Sequence, residues 1–383
     1  MDSRERVRKA FSHQEPDRVP IFEQAIDSKV ASEILGRKVF TGGTGLWKEE
    51  AEASLKGENA YKEFVERMLE DTIELYRYLE MDMFIIPWHG YRPSKKIDDN
   101  TYFSGRENGE WEIKRYNPET TMMETIDSSI RKYGLSAIEK LVKDMEENSK
   151  MEKHSPTEFS EIEYVIARVG KEKYIAEGVG IGIPMETAWL EALILRPDLV
   201  ERYLDIQLER ILRKIKLLVE RGVDCIWGGG DLATNKGPIY SPLHFRKFIL
   251  PRLKQVTKLC DELGVPYVYR TDGNIWPIAE ELLVESGVHG YGEIDIEAGM
   301  NIGELKRRFP HLTLWGGVKC GSTLVRGTKE EIITETKKAI EEGAPGGGFI
   351  FGSSNAIQSS VPPENFLLML ETAKKYGKYK SEV

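Results

Sequence analysis

Pro266-Tyr-Val-Tyr-Arg-Thr-Asp-Gly-Asn274 is a short apolar segment that ends in two charged side chains and a Gly-Asn turn. Its aromatic and β-branched residues favour a strand over 266–269, and the Gly-Asn pair ends that strand. Two charges at the end of an apolar strand are costly to bury unless they contact each other, a ligand or a metal. Arg270 and Asp272 are therefore the first candidates for a functional site.

On both sides of this segment, short apolar runs alternate with stretches of helical spacing. We predict strands at 19–22, 83–88, 173–178, 223–227, 266–269, 288–291, 312–315 and 348–351. Such alternation indicates parallel pairing, and this number of units closes as a TIM (β/α)8 barrel. An open doubly wound sheet is the alternative fold. It would place a Gly-rich phosphate loop after the first strand, where the chain has Glu23-Gln-Ala-Ile-Asp27.

Two features are predicted outside the barrel, and all of residues 1–383 are assigned to one domain. Residues 2–12 have helical spacing and form an N-terminal helical extension. Asn108-Gly109 separates two runs rich in strand-forming residues, which predicts a β-hairpin insertion at about 100–117.

Composition limits the functional class. The net charge of the 383 residues is −9, and no basic block of the kind that binds nucleic acid or anionic membranes is present. The first residues are too charged for a signal peptide, so we expect a cytoplasmic protein with neither a nucleic-acid nor a membrane partner. The three cysteines show no CxxC spacing, which argues against a disulfide framework. Whether the chain forms a homodimer is left open.

The predicted strand ends carry the candidate site residues, because chemistry in a TIM barrel lies at the C-terminal ends of the strands. We predict catalytic roles for Asp231, Arg270, Asp272 and Glu293. We predict substrate contacts for Glu23, Gln24, Trp88, His89, Glu177, Trp227 and Asn355. Asp231 follows three glycines, which let the backbone pass close to something bulky. The alternative is a flexible loop capped by Asp231.

The spacing of metal-ligating residue types is unfavourable for a zinc site. No HxH, HExxH or CxxC motif occurs, and His89 is the only one of six histidines at a predicted strand end. A zinc site here would have to be rich in carboxylates, which is uncommon for zinc. A bound metal is left open, with Asp231, Asp272 and Glu293 as its ligands if one is present.

Several motifs together resemble the uroporphyrinogen decarboxylase superfamily. They are Glu15-Pro-Asp-Arg-Val-Pro20, Gly222-Val-Asp-Cys-Ile-Trp-Gly-Gly-Gly-Asp-Leu-Ala233, the run from Gly237 to Pro251, Arg270-Thr-Asp-Gly-Asn274, Trp315-Gly-Gly-Val318 and Pro362-Pro-Glu-Asn365. The resemblance covers nearly the whole chain and is strongest from about residue 220 onward. It implies a TIM barrel, in agreement with the strand count.

The chain departs from the porphyrinogen decarboxylases of that superfamily at the first strand end. Those enzymes have an Arg-Gln-Ala-Gly-Arg segment whose arginines hold substrate carboxylates. The matching segment here is Glu23-Gln-Ala-Ile-Asp27, with an acid at the first arginine. Repulsion between this segment and a polyanion disfavours porphyrinogen decarboxylation.

The other branch of the superfamily consists of corrinoid-dependent methyltransferases. Many of them hold zinc through His-x-Cys after strand five and a Cys near strand eight, and the matching positions here are Arg270, Asp272 and Asn355. A guanidinium has no lone pair for a metal, so the usual zinc site is absent. With Asp272 in the Asp-Gly-Asn motif, the chain is most similar to the demethylases of methoxy compounds.

The resemblance therefore implies methyl transfer from a small methylated donor, such as a methyl ether, to the corrinoid (cobalamin) of a partner protein. In that reaction one of Asp231, Asp272 or Glu293 would supply the proton or hold the metal. Arg270 would orient a carboxylate or stabilise the developing oxyanion, and Trp88 and Trp227 would form apolar walls. Two alternatives stay open: a decarboxylase or lyase of a small carboxylate held by Arg270, and a barrel that binds a ligand without catalysis.

Overall fold

The computed structural model describes residues 1–149 and 159–379, and its centre is a ring of parallel strands. Seven of them form one sheet in sequence order, and every neighbouring pair is parallel. Barrel strands two to eight are Met83–Ile85, Tyr174–Gly178, Cys225–Gly229, Tyr267–Arg270, Gly290–Gly292, Thr313–Val318 and Phe349–Ser353. Strand two is shorter than predicted and ends before Pro87, which has no N–H to donate to the ladder.

Residues 19–22 close the ring as barrel strand one. Ile21 pairs in parallel with Phe351 of barrel strand eight, and the Phe22 N–H donates to the Phe351 carbonyl at 2.9 Å. On its other side, the Ile21 carbonyl accepts from the Asp82 N–H at 2.8 Å. Both edges of the seven-stranded sheet are thus bonded through this segment. The predicted (β/α)8 barrel is confirmed, and the open doubly wound sheet is excluded.

Helices fill the connections between the strands. In chain order after Ser3–Phe11 they are Ser28–Leu35, Leu46–Leu55, Glu58–Tyr78, Ser129–Tyr133, Leu135–Ser149, Ser160–Val169, Thr187–Leu195, Pro197–Glu220, Pro242–His244, Phe245–Ile249, Leu250–Leu263, Trp276–Ile278, Glu281–Glu285, Ile296–Ala298, Ile302–Arg308, Thr323–Arg326, Lys329–Gly343 and Pro363–Tyr376. Phe245–Ile249 and Glu281–Glu285 are π-helical, and Trp276–Ile278 and Ile296–Ala298 are 3₁₀ turns.

The N-terminal helix Ser3–Phe11 lies at the end of the barrel where the strands begin. Arg6 from this helix and Arg18 both form ion pairs with Asp82, at 2.6 and 2.7 Å, and Asp82 is fully buried. The same carboxylate accepts the Ile21 N–H at 2.8 Å. Asp82 therefore ties the helical extension to the closure of the ring.

The insertion after barrel strand two is larger than predicted. The hairpin expected at about 100–117 is present, because Thr101–Gly105 pairs antiparallel with Trp111–Asn117. Lys95–Asp98 and Met122–Ser128 flank it and complete a four-stranded sheet. These outer strands lack a run of apolar residues, since Lys95–Asp98 is exposed throughout, and the sequence pattern therefore missed them. A second small hairpin pairs Ala233–Thr234 with Gly237–Pro238.

Buried apolar side chains from Val7 to Ala373 form one continuous cluster around the barrel. The assignment of residues 1–383 to a single domain stays a prediction. Within the two described ranges, no helix combines the length and the apolar character that crossing a bilayer requires.

Candidate functional site

A cavity of about 770 Å³ opens at the end of the barrel where the strands terminate. This volume is typical of sites for small molecules. Six of the predicted site residues line it: Trp88, Asp231, Arg270, Asp272, Glu293 and Asn355. They reach the cavity from different strands because parallel strands end at the same edge of the sheet.

The floor of the cavity contains a chain of polar contacts. Arg270, the last residue of barrel strand five, lies 3.4 Å from the Glu293 carboxylate, from Nη1 to Oε2. The other oxygen of Glu293 accepts from the Gln24 amide, and the Gln24 carbonyl oxygen accepts from the Trp227 indole N–H at 3.2 Å. The Arg270 guanidinium also stacks over the Trp88 ring, 4.6 Å from its centroid. These contacts fix the direction of both charged groups.

Glu293 is the group in this floor whose protonation changes near neutral pH. Burial raises its pKa to about 7, the nearby charges of Asp231 and Asp272 add to the rise, and Arg270 and Gln24 oppose it. Its backbone is also strained, because φ is +62°, a region that residues with a side chain seldom adopt. Such strain costs about 1–3 kcal/mol and concentrates at functional sites.

Asp272 and Asn355 form a second polar pair in the cavity wall. The Asn355 amide donates to Asp272 Oδ2 at 3.0 Å. The pKa of Asp272 is raised by burial and by the charges of Asp231 and Asp295, against a smaller opposing effect of the Asn355 hydrogen bond. Asp272 therefore binds a proton more readily than an exposed aspartate does.

Asp231 is exposed at the mouth of the cavity, beyond the three glycines of barrel strand four. Two of these glycines, Gly228 and Gly229, are explained by the barrel itself, whereas a Cβ on Gly230, which follows the strand, would meet open space. A Cβ on Gly228 would lie 1.9 Å from the Tyr267 hydroxyl, and one on Gly229 would lie 2.2 Å from the Arg270 carbonyl. The bulky neighbour predicted for this loop is thus barrel strand five.

Glu23, Gln24 and Trp227 lie beneath the cavity and do not line it. The Glu23 side chain is fully buried and accepts from the N–H and the hydroxyl of Ser353, at 2.8 and 2.6 Å. Burial raises its pKa to about 8, although both Ser353 bonds lower it. The Trp227 ring packs inside the barrel against Phe22. The buried side chains of these three residues support the floor of the cavity, and their predicted substrate contacts stay predictions.

His89 and Glu177 lie outside the residues that line the cavity. Both ring nitrogens of His89 are engaged, by the Pro87 carbonyl at 2.8 Å and by Glu161 at 2.9 Å. Burial alone would lower the pKa of His89, but Glu161 outweighs this and the pKa rises to about 9. Glu177 faces Lys214 at 3.8 Å, and burial raises its pKa to about 7. Both residues form ion pairs outside the cavity lining, and their predicted substrate contacts stay predictions.

The donor set of the cavity does not fit a metal ion. Among the described residues, no group of three or more His, Cys, Asp or Glu side chains is arranged to hold one. The oxygens of Glu293 face Gln24 and Arg270, and Asp272 is bonded by Asn355. The open alternative of Asp231, Asp272 and Glu293 as metal ligands is therefore not supported by their arrangement.

Sequence reasoning missed part of the cavity wall. The missed lining residues are Ala25, Asp27, Lys29, Trp47, Met122 and residues 42–44, 119–121 and 356–360. Asp27 is the N-cap of helix Ser28–Leu35, and its carboxylate accepts the Lys29 N–H at 2.8 Å. An Asp-Ser pair before an apolar run is a helix-start signal that could have located this helix.

A family model for uroporphyrinogen decarboxylase (URO-D) matches residues 174–376, more than half of the chain. The chain belongs to the uroporphyrinogen decarboxylase family. The matched region runs from barrel strand three to the last helix, and it contains Asp231, Arg270, Asp272, Glu293 and Asn355. The family predicted from the motifs is thereby confirmed.

Curated relatives in this family match the chain in part. The uroporphyrinogen decarboxylase of Neisseria gonorrhoeae is 24% identical over 193 residues, which are 48% of this chain and 50% of that one. That of Geobacter metallireducens is 26% identical over 136 residues, 35% of this chain and 38% of that one. The chain thus spans about half the length, or less, of the curated relatives it matches.

Among solved structures, a methyltransferase from Methanosarcina mazei has the same fold over its whole length. The TM-score is 0.65 at 17% identity, with 98% of this chain and 99% of that chain covered. This similarity establishes the fold.

Proposed function

We propose that the protein is an enzyme that transfers a methyl group from a small methyl ether to the corrinoid of a partner protein. The observation that carries the proposal is the buried Glu293 carboxyl beside Arg270, whose pKa of about 7 lets it donate a proton at neutral pH. An ether oxygen is a poor leaving group and needs such a proton as its bond to carbon breaks.

The charges in the cavity disfavour a porphyrinogen as substrate. Among the described residues, the cavity is lined by five acidic side chains and two basic ones: Asp27, Glu119, Asp231, Asp272 and Glu293, and Lys29 and Arg270. A substrate with many carboxylates would be repelled by this wall. A small donor with few charges suits the cavity better.

The proposed reaction breaks the bond between the methyl carbon and the ether oxygen. The electron pair of the broken bond stays on that oxygen, which takes the Glu293 proton and leaves as a hydroxyl group, while the acceptor would supply the electron pair of its new bond to the methyl carbon. The Glu293 carboxylate that remains is stabilised by Arg270 at 3.4 Å and by the Gln24 amide. Before the transfer, neutral Glu293 leaves the Arg270 guanidinium free to hold the ether oxygen.

Asp231 and Asp272 contribute through their charge. Both raise the pKa of Glu293 and so increase its protonated fraction at neutral pH. Asn355 holds Asp272 in place by the 3.0 Å hydrogen bond.

In the proposed reaction, the methyl acceptor is a corrinoid that stays bound to its own carrier protein. No histidine lines the cavity among the described residues, and both nitrogens of His89 are already bonded. Within the described residues, the cavity wall therefore offers no imidazole nitrogen to a bound group. The half-exposed Trp88 ring at the mouth is an apolar surface that a flat ring system can contact.

The test is to mix the protein with a reduced corrinoid carrier protein and a panel of methoxylated compounds, and to record methyl-corrinoid formation by absorbance. Glu293→Gln and Arg270→Lys should lose most of the activity of the wild type. Glu262→Gln, a change at an exposed residue paired with Lys258, is the matched control and should keep it. Release of carbon dioxide without methyl transfer would favour the decarboxylase alternative, and binding without turnover would favour a non-catalytic barrel.

A further inference from the structure

We infer that Glu50 is a positioning residue, which fixes the backbone that holds Trp88 over the Arg270 guanidinium. That backbone is the Trp88 loop, residues 87–91, which follows barrel strand two. The inference rests on the proposed function, in which Arg270 holds the ether oxygen, and adds a residue to it. Glu50 is not among the described residues that line the cavity, and it lies on helix Leu46–Leu55 between barrel strands one and two.

The Glu50 carboxylate is fully buried and is bonded to the backbone of the Trp88 loop. Its Oε1 accepts the Gly90 N–H at 2.6 Å, and its Oε2 accepts the Tyr91 N–H at 2.9 Å. The Tyr61 hydroxyl also donates to Oε1, at 3.0 Å. A buried carboxylate is costly unless it accepts such bonds, so the position of the loop and the burial of this charge depend on each other.

The same helix holds the Trp88 loop at a second point. The Trp47 indole N–H donates to the Trp88 carbonyl at 3.1 Å. Trp47 precedes Glu50 by three residues, and side chains with that spacing lie on the same face of a helix. The loop is thus bonded to one helix face both at Trp88 itself and at residues 90–91.

These backbone contacts decide where the Trp88 ring lies, because the residue is 41% exposed and is only partly enclosed by its neighbours. The ring centroid lies 4.6 Å from the guanidinium carbon of Arg270. A guanidinium within about 6 Å of an indole centroid is attracted to the negative face of the ring. A shift of the loop would therefore remove the ring from Arg270.

The stack matters most when Glu293 is neutral. Among the described residues, Arg270 has one ion pair, with Glu293 at 3.4 Å, and one ring contact, with Trp88. The proposed reaction begins with a proton on Glu293, so the ion pair is then absent. The stack remains, because a guanidinium keeps its charge at every working pH. Trp88 therefore keeps Arg270 at the floor of the cavity in the state that must hold the ether oxygen.

The first measurement is the NMR signal of the Arg270 Nε–H in protein that contains isotope-labelled arginine, identified by its absence in Arg270→Lys. A proton above an indole face is shifted upfield by the ring current, and Trp88→Leu should remove this shift. Glu50→Gln keeps the size of the side chain but leaves a single acceptor oxygen, so one loop N–H loses its partner and most of the shift should be lost. Glu49→Gln, at the adjacent position that pairs with Lys38, is the matched control and should leave the signal unchanged.

Trp47→Phe removes the other bond to the Trp88 loop from a partly buried position. It should also reduce the shift of the Arg270 signal. This variant keeps the inference testable if Glu50→Gln does not fold, and an unchanged signal in it would count against the role of the helix.

The second measurement is the rate of methyl transfer in a double-mutant cycle. Trp88→Leu should slow the transfer by about ten-fold, which is the factor that a stack of this kind provides. If Glu50 acts through Trp88, Glu50→Gln should slow it by a similar factor, and the double variant should be no slower than Trp88→Leu. A merely structural role of Glu50 predicts that the two factors multiply.

The inference is overturned if the Arg270 signal is the same in Glu50→Gln and the wild type, if Trp88→Leu does not change it, or if the two rate effects multiply. Its failure is distinct from failure of the proposed function, because the NMR signal requires no methyl acceptor. An Arg270 signal that depends on Glu50, without methyl transfer, would support the positioning of Arg270 and reject the transferase. Methyl transfer that Glu50→Gln leaves at the wild-type rate would do the reverse.

Discussion

The Arg270 guanidinium and the Glu293 carboxylate lie 3.4 Å apart at the floor of the barrel cavity. They come from neighbouring parallel strands, and Arg270 is paired directly with Gly292 across the ladder. Strand register therefore sets their separation. Because Glu293 is buried and has a pKa of about 7, the pair is an ion pair above that pH and a charged group beside a neutral acid below it.

The first prediction concerns the Glu293 proton. Glu293→Gln keeps the shape of the side chain but has no acidic proton, and we expect the rate of methyl transfer to fall by about 10²–10⁴-fold, as for other general acids. A single-turnover assay with the corrinoid carrier measures it. Unfolding by urea should occur at a concentration close to that of the wild type. An unchanged rate would remove Glu293 from the mechanism.

The second prediction concerns the pH dependence of the same step. A general acid is active when protonated, so the rate should be constant well below the pKa of about 7 and fall by about ten-fold per pH unit above it. Glu293→Gln should abolish this fall. Rates measured from pH 5.5 to about 9 test it, and a rate that instead rises with pH would indicate a general base.

The third prediction concerns Gln24, which bridges Trp227 and Glu293. The Gln24 hydrogen bond lowers the pKa of Glu293, so Gln24→Leu should shift the fall in rate to higher pH. The buried Trp227 N–H would also lose its acceptor, and the free energy of unfolding should drop by about 1–3 kcal/mol. Gln255→Leu, on an exposed face of helix Leu250–Leu263, is the control. A pH profile identical to that of the wild type would show that Gln24 does not act on Glu293.

The fourth prediction concerns Glu23 and stability. The folded-state pKa of about 8 exceeds the ordinary value of 4.5, so the folded chain binds the proton more tightly. This contribution to stability is complete below pH 4.5 and is lost as pH rises through about 8, by up to about 1.4 kcal/mol per pH unit. Glu23→Gln cannot titrate, so its stability relative to the wild type should increase between pH 5 and about 9. Urea unfolding of both proteins across that range measures the difference. A constant difference would contradict the assigned pKa.

The fifth prediction concerns closure of the barrel by Asp82. Asp82→Asn leaves the guanidinium groups of Arg6 and Arg18 beside a neutral side chain in a buried position. Breaking a buried ion pair on one side costs about 3–5 kcal/mol, and we expect a loss of that size in the free energy of unfolding. Asp17→Asn removes an exposed partner of Arg6 and should cost much less. Equal losses would mean that burial of Asp82 is not what makes the contact strong.

The strand order of the barrel could be predicted because each strand is a local feature of the chain. An apolar run such as 266–269 is long enough to be a strand, and the helical spacing between runs requires a parallel crossover. Helix Pro363–Tyr376 is also marked by local signals, since proline stands at its start and apolar residues recur along it at helical spacing. The outer strand Lys95–Asp98 of the insertion was missed because a strand that is exposed throughout has no apolar pattern.

The residues of the candidate site could be predicted where their position at the end of a strand is enough to place them in the cavity. Arg270, Asp272 and Glu293 follow apolar runs, and all three line the cavity. Lys29 also lines the cavity, but it was not predicted to do so. A lone lysine on a helix has no sequence signal that separates a cavity position from a solvated one. Trp88 lines the cavity, whereas Trp227 is buried inside the barrel. This difference was also not predictable, because each tryptophan ends a predicted strand.

The sequence by itself determined the alternation of strands and helices, the fold class and the charged groups available at one end of the barrel. Only the tertiary structure decided which of these groups share a cavity, and which of them titrate near neutral pH. The physical reason is that apolar spacing acts over a few residues, whereas burial and charge act between groups far apart in sequence. Glu293 acquires its raised pKa from burial, to which the charge of Asp231 adds and which Arg270 and Gln24 oppose, and the closed ring of strands is what brings these groups together.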